Sequence, residues 1–340
     1  MVNLKDITIG LGLVIVLLFL STCKEFSDRA VTFEPAVQSY AGGGGYITGM
    51  IQDPVNTNII FARCDVAGMF KSTDSGKNWK LINKGLKKAH NQNVESIAIH
   101  PTKTNILLRG SGELRDSNVF GDIYKSVDGG QNWYLVTDKI DFFGNGPNRQ
   151  YGERIAFNPF NPEIVIAGGY RNGVFVSEDE GETWRYAGLY GEPISCVAFN
   201  PVTGYCYVST LCEVSNKEIL FDNERLARPN VGRLFVSRDN GKQWKLVFEK
   251  QNFDFAELIF NNDNIIYAAC VKSGILCSKD GGYHFETIMN GLPDGVPYNT
   301  IAVDPNTPGR LYTAPKRKSY NTNVPLVPLY TSDDGGANWL

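Results

Sequence analysis

An all-β propeller of six to seven four-stranded blades is the fold this sequence predicts. Three observations carry it: one short hairpin motif recurs six times, its copies are about a blade apart, and strand-like runs bounded by turn residues fill the intervals. The motif is the Asp-box, Ser-x-Asp-x-Gly-x-x-Trp, at Ser72–Trp79, Ser126–Trp133, Ser177–Trp184, Ser237–Trp244 and Ser332–Trp339, with a sixth copy, Ser278–Phe285, that ends in Phe. Successive Ser positions lie 54, 51, 60, 41 and 54 residues apart, a spacing that suits one blade per copy.

Each interval shows the strands of a blade. An alternating apolar run closed by a Pro turn recurs as Ile97–Pro101, Ile155–Pro159, Val197–Pro201 and Ile301–Pro305, and a short apolar pair such as Met69-Phe70 or Ile123-Tyr124 leads into each box. In the box, Ser and Asp oxygens accept backbone N–H groups of a tight loop, Gly supplies positive φ, and the aromatic ring packs back on the sheet. Asp74, Asp128, Asp179, Asp239, Asp280 and Asp334 are therefore read as structural, and the boxes use all five Trp residues, at 79, 133, 184, 244 and 339.

Ahead of the repeats, Lys5 precedes an apolar run from Ile7 to Leu20, which is shorter than the roughly 20 residues of a membrane span and reads as the core of a secretion signal over residues 1–22. Leu20-Ser21-Thr22-Cys23 resembles a bacterial lipobox, which would make Cys23 the lipidated first residue of the mature chain. Ordinary cleavage and an uncleaved anchor are the alternatives. All three put the body outside the cytoplasm, as an outer-membrane or cell-surface lipoprotein or as a periplasmic or secreted protein, with no other membrane contact. Residues 23–40, polar and containing Pro35, read as a tether, and 41–340 as the propeller. Other boxes run on into a strand, as in Trp79-Lys80-Leu81-Ile82, whereas only Leu340 follows the last, so the final blade is expected to be cut short.

Composition narrows the function classes. With 33 basic against 36 acidic residues and no long run of either, there is no footprint for a nucleic-acid partner. His90, His100 and His284 are scattered and match no zinc spacing, so neither a metal nor another cofactor is expected. Apart from Cys23, six cysteines remain; an oxidising compartment allows disulfides, while their apolar surroundings equally suit small buried residues.

The strings around the first three boxes are more informative than the boxes. Gly42–Gly49, Asp53-Pro54 and Ile60-Phe61-Ala62-Arg63-Cys64-Asp65-Val66-Ala67-Gly68 resemble the start of glycoside hydrolase family 74, as do Val94–Ala98 with Pro101, Gly152–Pro159 and Asn172–Phe175. The family pattern has Thr and Gly where this chain has Cys64 and Ala67. The resemblance implies a β-1,4-glucanase of the xyloglucanase kind, built from two propellers, that cuts a polysaccharide with inversion. It implies Asp65 as the general base, with the general acid on a second propeller. An inverting pair needs two carboxyls roughly 6.5–9.5 Å apart, so Asp65 alone cannot complete the reaction.

With every Trp committed to a box, Tyr46, Phe120, Tyr151 and Tyr170, and also Tyr190, are the candidate sugar platforms. Glu113, Asp116 and Asp122, in a long insertion before the second box, and Glu153 are further candidate acids. Two functions follow: a family 74-like glycosidase, this chain being either the N-terminal half of a two-propeller protein or a propeller completed by a partner, or a non-catalytic exported propeller that binds glycan or protein. A sialidase would carry a Phe-Arg-Ile-Pro string, which this chain lacks.

Overall fold

Strands pair antiparallel with their sequence neighbours, except that in the fourth sheet Cys206–Thr210 pairs with Val231–Ser237 across an intervening two-stranded hairpin, so the chain is laid down as a series of small sheets. The computed structural model describes residues 45–115, 118–212, 220–221, 224–225, 231–307, 309–316 and 328–340. The secretion segment with Cys23, the tether and Asp116 lie outside the described residues.

Six sheets form six blades in a ring. Blade 1 is Ile47–Gln52, Ile60–Cys64, Gly68–Ser72 and Lys80–Leu81; blade 2 is Val94–Ile99, Leu107–Arg115, Asn118–Ser126 and Tyr134–Thr137. The inner strands of blades 3, 4 and 5 are Ile155–Phe157, Ile194–Phe199 and Phe255–Phe260, each opening a four-stranded sheet. Blade 6 has three described strands, Tyr298–Val303, Leu311–Pro315 and Tyr330–Ser332; beyond its box, Leu340 exchanges two 2.9 Å backbone bonds with Thr331.

The boxes behave as their chemistry requires. In the first, Ser72 Oγ accepts Gly76 N–H at 2.8 Å, Asp74 Oδ1 accepts Asn78 N–H at 2.9 Å, and Gly76 takes φ +85°. The Asn78 side-chain amide, then the Asn78 N–H and the Ser72 hydroxyl, hold the Asp74 carboxyl down to about 2. The other five repeat this Ser–Gly bond.

Strand alternation then divides each sheet into two apolar faces. Five clusters each span two consecutive blades; Phe61, Met69 and Ile82 of blade 1, for example, meet Val94, Ile97, Leu107 and Trp133 of blade 2. Blades 1 and 6 each keep a small separate cluster on their remaining face, Ala62, Cys64 and Phe70 on one and Tyr312 with Leu329 on the other. The six described cysteines are free thiols, and all are buried.

Candidate active site

The third strand of a blade fixes which end of the ring each loop occupies. In blade 1 that strand begins at the loop of residues 65–67 and ends at Ser72 of the box, so Asp65 and the boxes lie at opposite ends of the sheet. The inner strands also begin at the Asp65 end. Their entry is irregular: register shifts fall between Ile47 and Gly49, Val94 and Ser96, Ile194 and Cys196, Phe255 and Glu257, and Tyr298 and Ile301. Bulges of this kind re-aim one side chain per strand. Here most of those side chains are polar: Thr48, Glu95, Ser195 and Asn299, with Glu153 at the matching offset in blade 3.

Two of these residues, Thr48 and Glu153, meet at Arg63, which is 2% exposed near the end of its strand. Its Nε donates to Glu153 Oε1 at 3.0 Å and its Nη1 to Thr48 Oγ1 at 3.1 Å. The same guanidinium holds the chain between blades 2 and 3, donating to the carbonyls of Arg149 and Tyr151, each at 2.7 Å. Three further contacts tie this loop down: Asn299 of blade 6 donates to Gln150 at 3.1 Å, Gly152 N–H donates to Ala256 O of blade 5 at 2.7 Å, and Gly144 N–H donates to Gly112 O of blade 2 at 3.0 Å. A connection from one side of the ring is thus pinned over its middle.

Asp65 lies beside this loop. Tyr46 N–H donates to its Oδ1 at 2.7 Å, and Arg149 Nε stands 3.0 Å from its Oδ2. The Cys64 thiol is 3.7 Å from Oδ1. The Asp65 side chain is 14% exposed.

The candidate platforms separate. Tyr151 and Tyr170 are 5% and 1% exposed and pack with Phe143, Val119 and Leu211, so the rings are core and offer no open face. Tyr46 is half-buried under the Arg149 guanidinium, 5.9 Å from its ring centre. Phe120 is 44% exposed and Tyr190 56%. Phe120 stands on the blade 2 hairpin, whose two nine-residue strands are longer than the five-residue pair of blade 1, and stacks on His90 at 6.1 Å.

The candidate acids separate too. Glu153 is the partner of Arg63, and its Oε2 accepts Ile97 N–H at 2.6 Å. Asp122 is buried against His90 Nε2 at 2.6 Å, Asn91 and Lys88. Glu113 pairs with Arg115. Sequence reasoning passed over Glu257, whose carboxyl burial pushes up to about 7, against the opposing Ile301 N–H and Thr300 hydroxyl. It also passed over Arg149, whose only signal was its place in the Gly-containing stretch before the third repeat. Among the described residues no group of His, Cys, Asp and Glu could hold a metal, and no helix is long and apolar enough to cross a membrane.

No family model matches the chain. It is 30% identical over 229 residues to an oligoxyloglucan-reducing end-specific xyloglucanase of Emericella nidulans, covering 65% of this chain and 26% of that protein. It is 29% identical over 347 aligned positions to a xyloglucanase of Acetivibrio thermocellus, covering 92% of this chain and 40% of that one. In structure it is similar to a family 74 xyloglucanase from Xanthomonas campestris, with a TM-score of 0.71 at 20% identity over 88% of this chain and 45% of that one. The chain therefore spans less than half the length of each of these relatives.

Proposed function

On the premise that the chain is a glycoside hydrolase family 74-like propeller, homologous to xyloglucanases, we propose that it is the N-terminal propeller of an exported, inverting β-1,4-glucanase acting on xyloglucan-type polysaccharide. Asp65 is its general base, and a second propeller supplies the acid. The observation that carries this reading is the setting of Asp65. It stands at the box-free end of the ring, on a short loop after a fully buried strand, with its side chain 14% exposed, Oδ1 held by Tyr46 N–H and Oδ2 beside Arg149.

In the reaction, water bound between Asp65 and the anomeric carbon gives its proton to the Asp65 carboxylate as the glycosidic bond breaks. The acid of the second propeller protonates the leaving oxygen from the opposite face, and the two-carboxyl spacing of inversion leaves room for that water. Tyr46, Phe120 and Tyr190 are the described candidates for stacking a sugar ring, Phe120 and Tyr190 being the more open. Cys23 is the lipidation site of the exported form, and the protein is held at the cell surface or outer membrane through it.

The test uses the full-length gene product with xyloglucan and an unbranched β-glucan. Asp65→Ala is expected to lower turnover by about 10²–10⁴ without unfolding the protein, as removal of a general base does. Wild-type turnover in that variant rejects the base assignment. A wild-type protein that binds either glucan and cleaves neither supports the non-catalytic binding propeller instead.

A further inference from the structure

We infer that Arg149 is a positioning residue that fixes the plane of the Asp65 carboxylate and leaves one defined oxygen site for the proton of the attacking water. The inference rests on the reading of Asp65 as the base. Tyr46 N–H holds only Oδ1, at 2.7 Å, and a carboxylate held at one oxygen still turns about that bond. Arg149 Nε, 3.0 Å from Oδ2 as an ion-pair contact without a hydrogen bond, is the second point, and two points set the plane. A carboxylate has about four acceptor sites. The Oδ1 pair faces Tyr46 N–H and the Cys64 thiol, whereas Arg149 holds Oδ2 by charge and donates no N–H to it from Nε, so Oδ2 is the oxygen left to accept the proton. The proton of the water O–H bond goes there, while the hydroxyl forms the new bond to the anomeric carbon and the leaving oxygen takes its proton from the second propeller's acid.

Arg149 is itself built into place. Its Nη1 donates to Gly146 O at 2.9 Å, its guanidinium lies 5.9 Å from the Tyr46 ring centre, and its carbonyl is held by the buried Arg63 at 2.7 Å. The residue thereby reaches from the connection between blades 2 and 3 onto a loop of blade 1. The bonds that pin the loop to Arg63 and Ala256 come from the carbonyls of Arg149 and Tyr151 and the N–H of Gly152, so truncating the Arg149 side chain leaves those bonds in place.

The experiment measures kcat and KM on xyloglucan for the full-length gene product as wild type, Arg149→Ala, Arg149→Lys and Asp65→Asn, with melting temperatures for each. Arg149→Ala is expected to lose about 10–100-fold in kcat, the scale of a small misplacement of a reacting group, with KM within about 3-fold of wild type. Added guanidinium ion should restore several-fold of that loss in Arg149→Ala and nothing in wild type, and Arg149→Lys should lie between the two. Wild-type kcat in Arg149→Ala, a loss confined to KM, or a loss that guanidinium does not touch in a protein of lowered melting temperature overturns the inference. If Asp65→Asn is inactive while Arg149→Ala is not, only the positioning role fails. If Asp65→Asn turns over normally, or no glucan is cleaved by wild type, the base reading fails and this inference with it.

Discussion

Glu257 occupies the inner strand of blade 5, where its Oε2 accepts Ile301 N–H at 2.8 Å and Glu153 and Arg63 are its charged neighbours. Arg63 is already committed to Glu153 and two carbonyls, so burial dominates and pushes the Glu257 carboxyl up from 4.5 to about 7. Between those values the folded protein holds a proton that the unfolded chain has released, so stability falls as pH rises from 4.5 through 7. Glu257→Gln keeps an acceptor for Ile301 N–H and cannot ionise. It should remove a decline on the order of 2–3 kcal/mol, leaving the variant about 5 °C more heat-stable than wild type at pH 8 and nearly equal at pH 4. Calorimetric melting across that range checks it, and parallel curves for the two proteins would count against it. The box acids act in another window. Asp74 and Asp334, held to about 2, stabilise above 3.8 and lose that contribution only as pH falls towards 2.

The box is the element that sequence exposes best, because its Ser, Asp and Gly requirements are local and repeat with the blade. Where its aromatic goes is not local. Trp133, Trp244 and Trp339 donate Nε1–H across the seam to Ile82, Ala187 and Ile288 of the preceding blade, whereas Trp79 and Trp184 donate to Gly76 and Gly181 of their own turns. Nothing in the eight-residue motif distinguishes these two uses; the carbonyl that receives the indole belongs to a sheet some fifty residues earlier, as with Ile82 for Trp133. The two uses differ in energy. Trp133 is 3% exposed, fills the seam of blades 1 and 2 and lies under Arg109 at 5.5 Å, while Trp79 is half-buried on the blade 1 face that no other blade's cluster shares. Trp133→Ala should therefore cost about 3–5 kcal/mol through the cavity it leaves and the orphaned Ile82 carbonyl. Trp79→Ala should cost less than half as much. Denaturant unfolding followed by far-UV circular dichroism compares them, and equal losses would show that seam insertion adds nothing.

At the scale of the molecule, the ring is closed over its middle by a loop whose role no periodicity marks. The strands, the boxes and the place of Asp65 at a strand end were legible, since each is written in neighbouring residues. Tyr151 and Tyr170 looked like platforms and are core, because their burial depends on Phe143 and Leu211 from different blades. Glu153, a candidate acid from its sequence, is the partner of Arg63, ninety positions away in the chain. What joins these parts is Arg63, and its removal should separate stability from loop order. Arg63→Met leaves Glu153 without its cation and takes the donors from the Arg149 and Tyr151 carbonyls. Because the Glu153 side chain keeps 26% exposure, the expected loss is somewhat below that of a fully buried pair, on the order of 2–4 kcal/mol. Adding Glu153→Gln should recover part of that loss by removing the stranded charge, yet it cannot restore the two carbonyl bonds. Hydrogen exchange reads the difference at the amides of Arg149, Tyr151 and Gly152, which donate to the Gly146, Asn148 and Ala256 carbonyls respectively, within or beneath the loop. They should exchange at least about tenfold faster in both variants than in wild type, while the box amides of Gly76 and Gly130, held by Ser72 and Ser126, stay as they were. If the double variant regains wild-type exchange in the loop, the charge of the pair and not the carbonyl bonds is what holds it down; if neither variant changes loop exchange, Arg63 does not hold the loop at all.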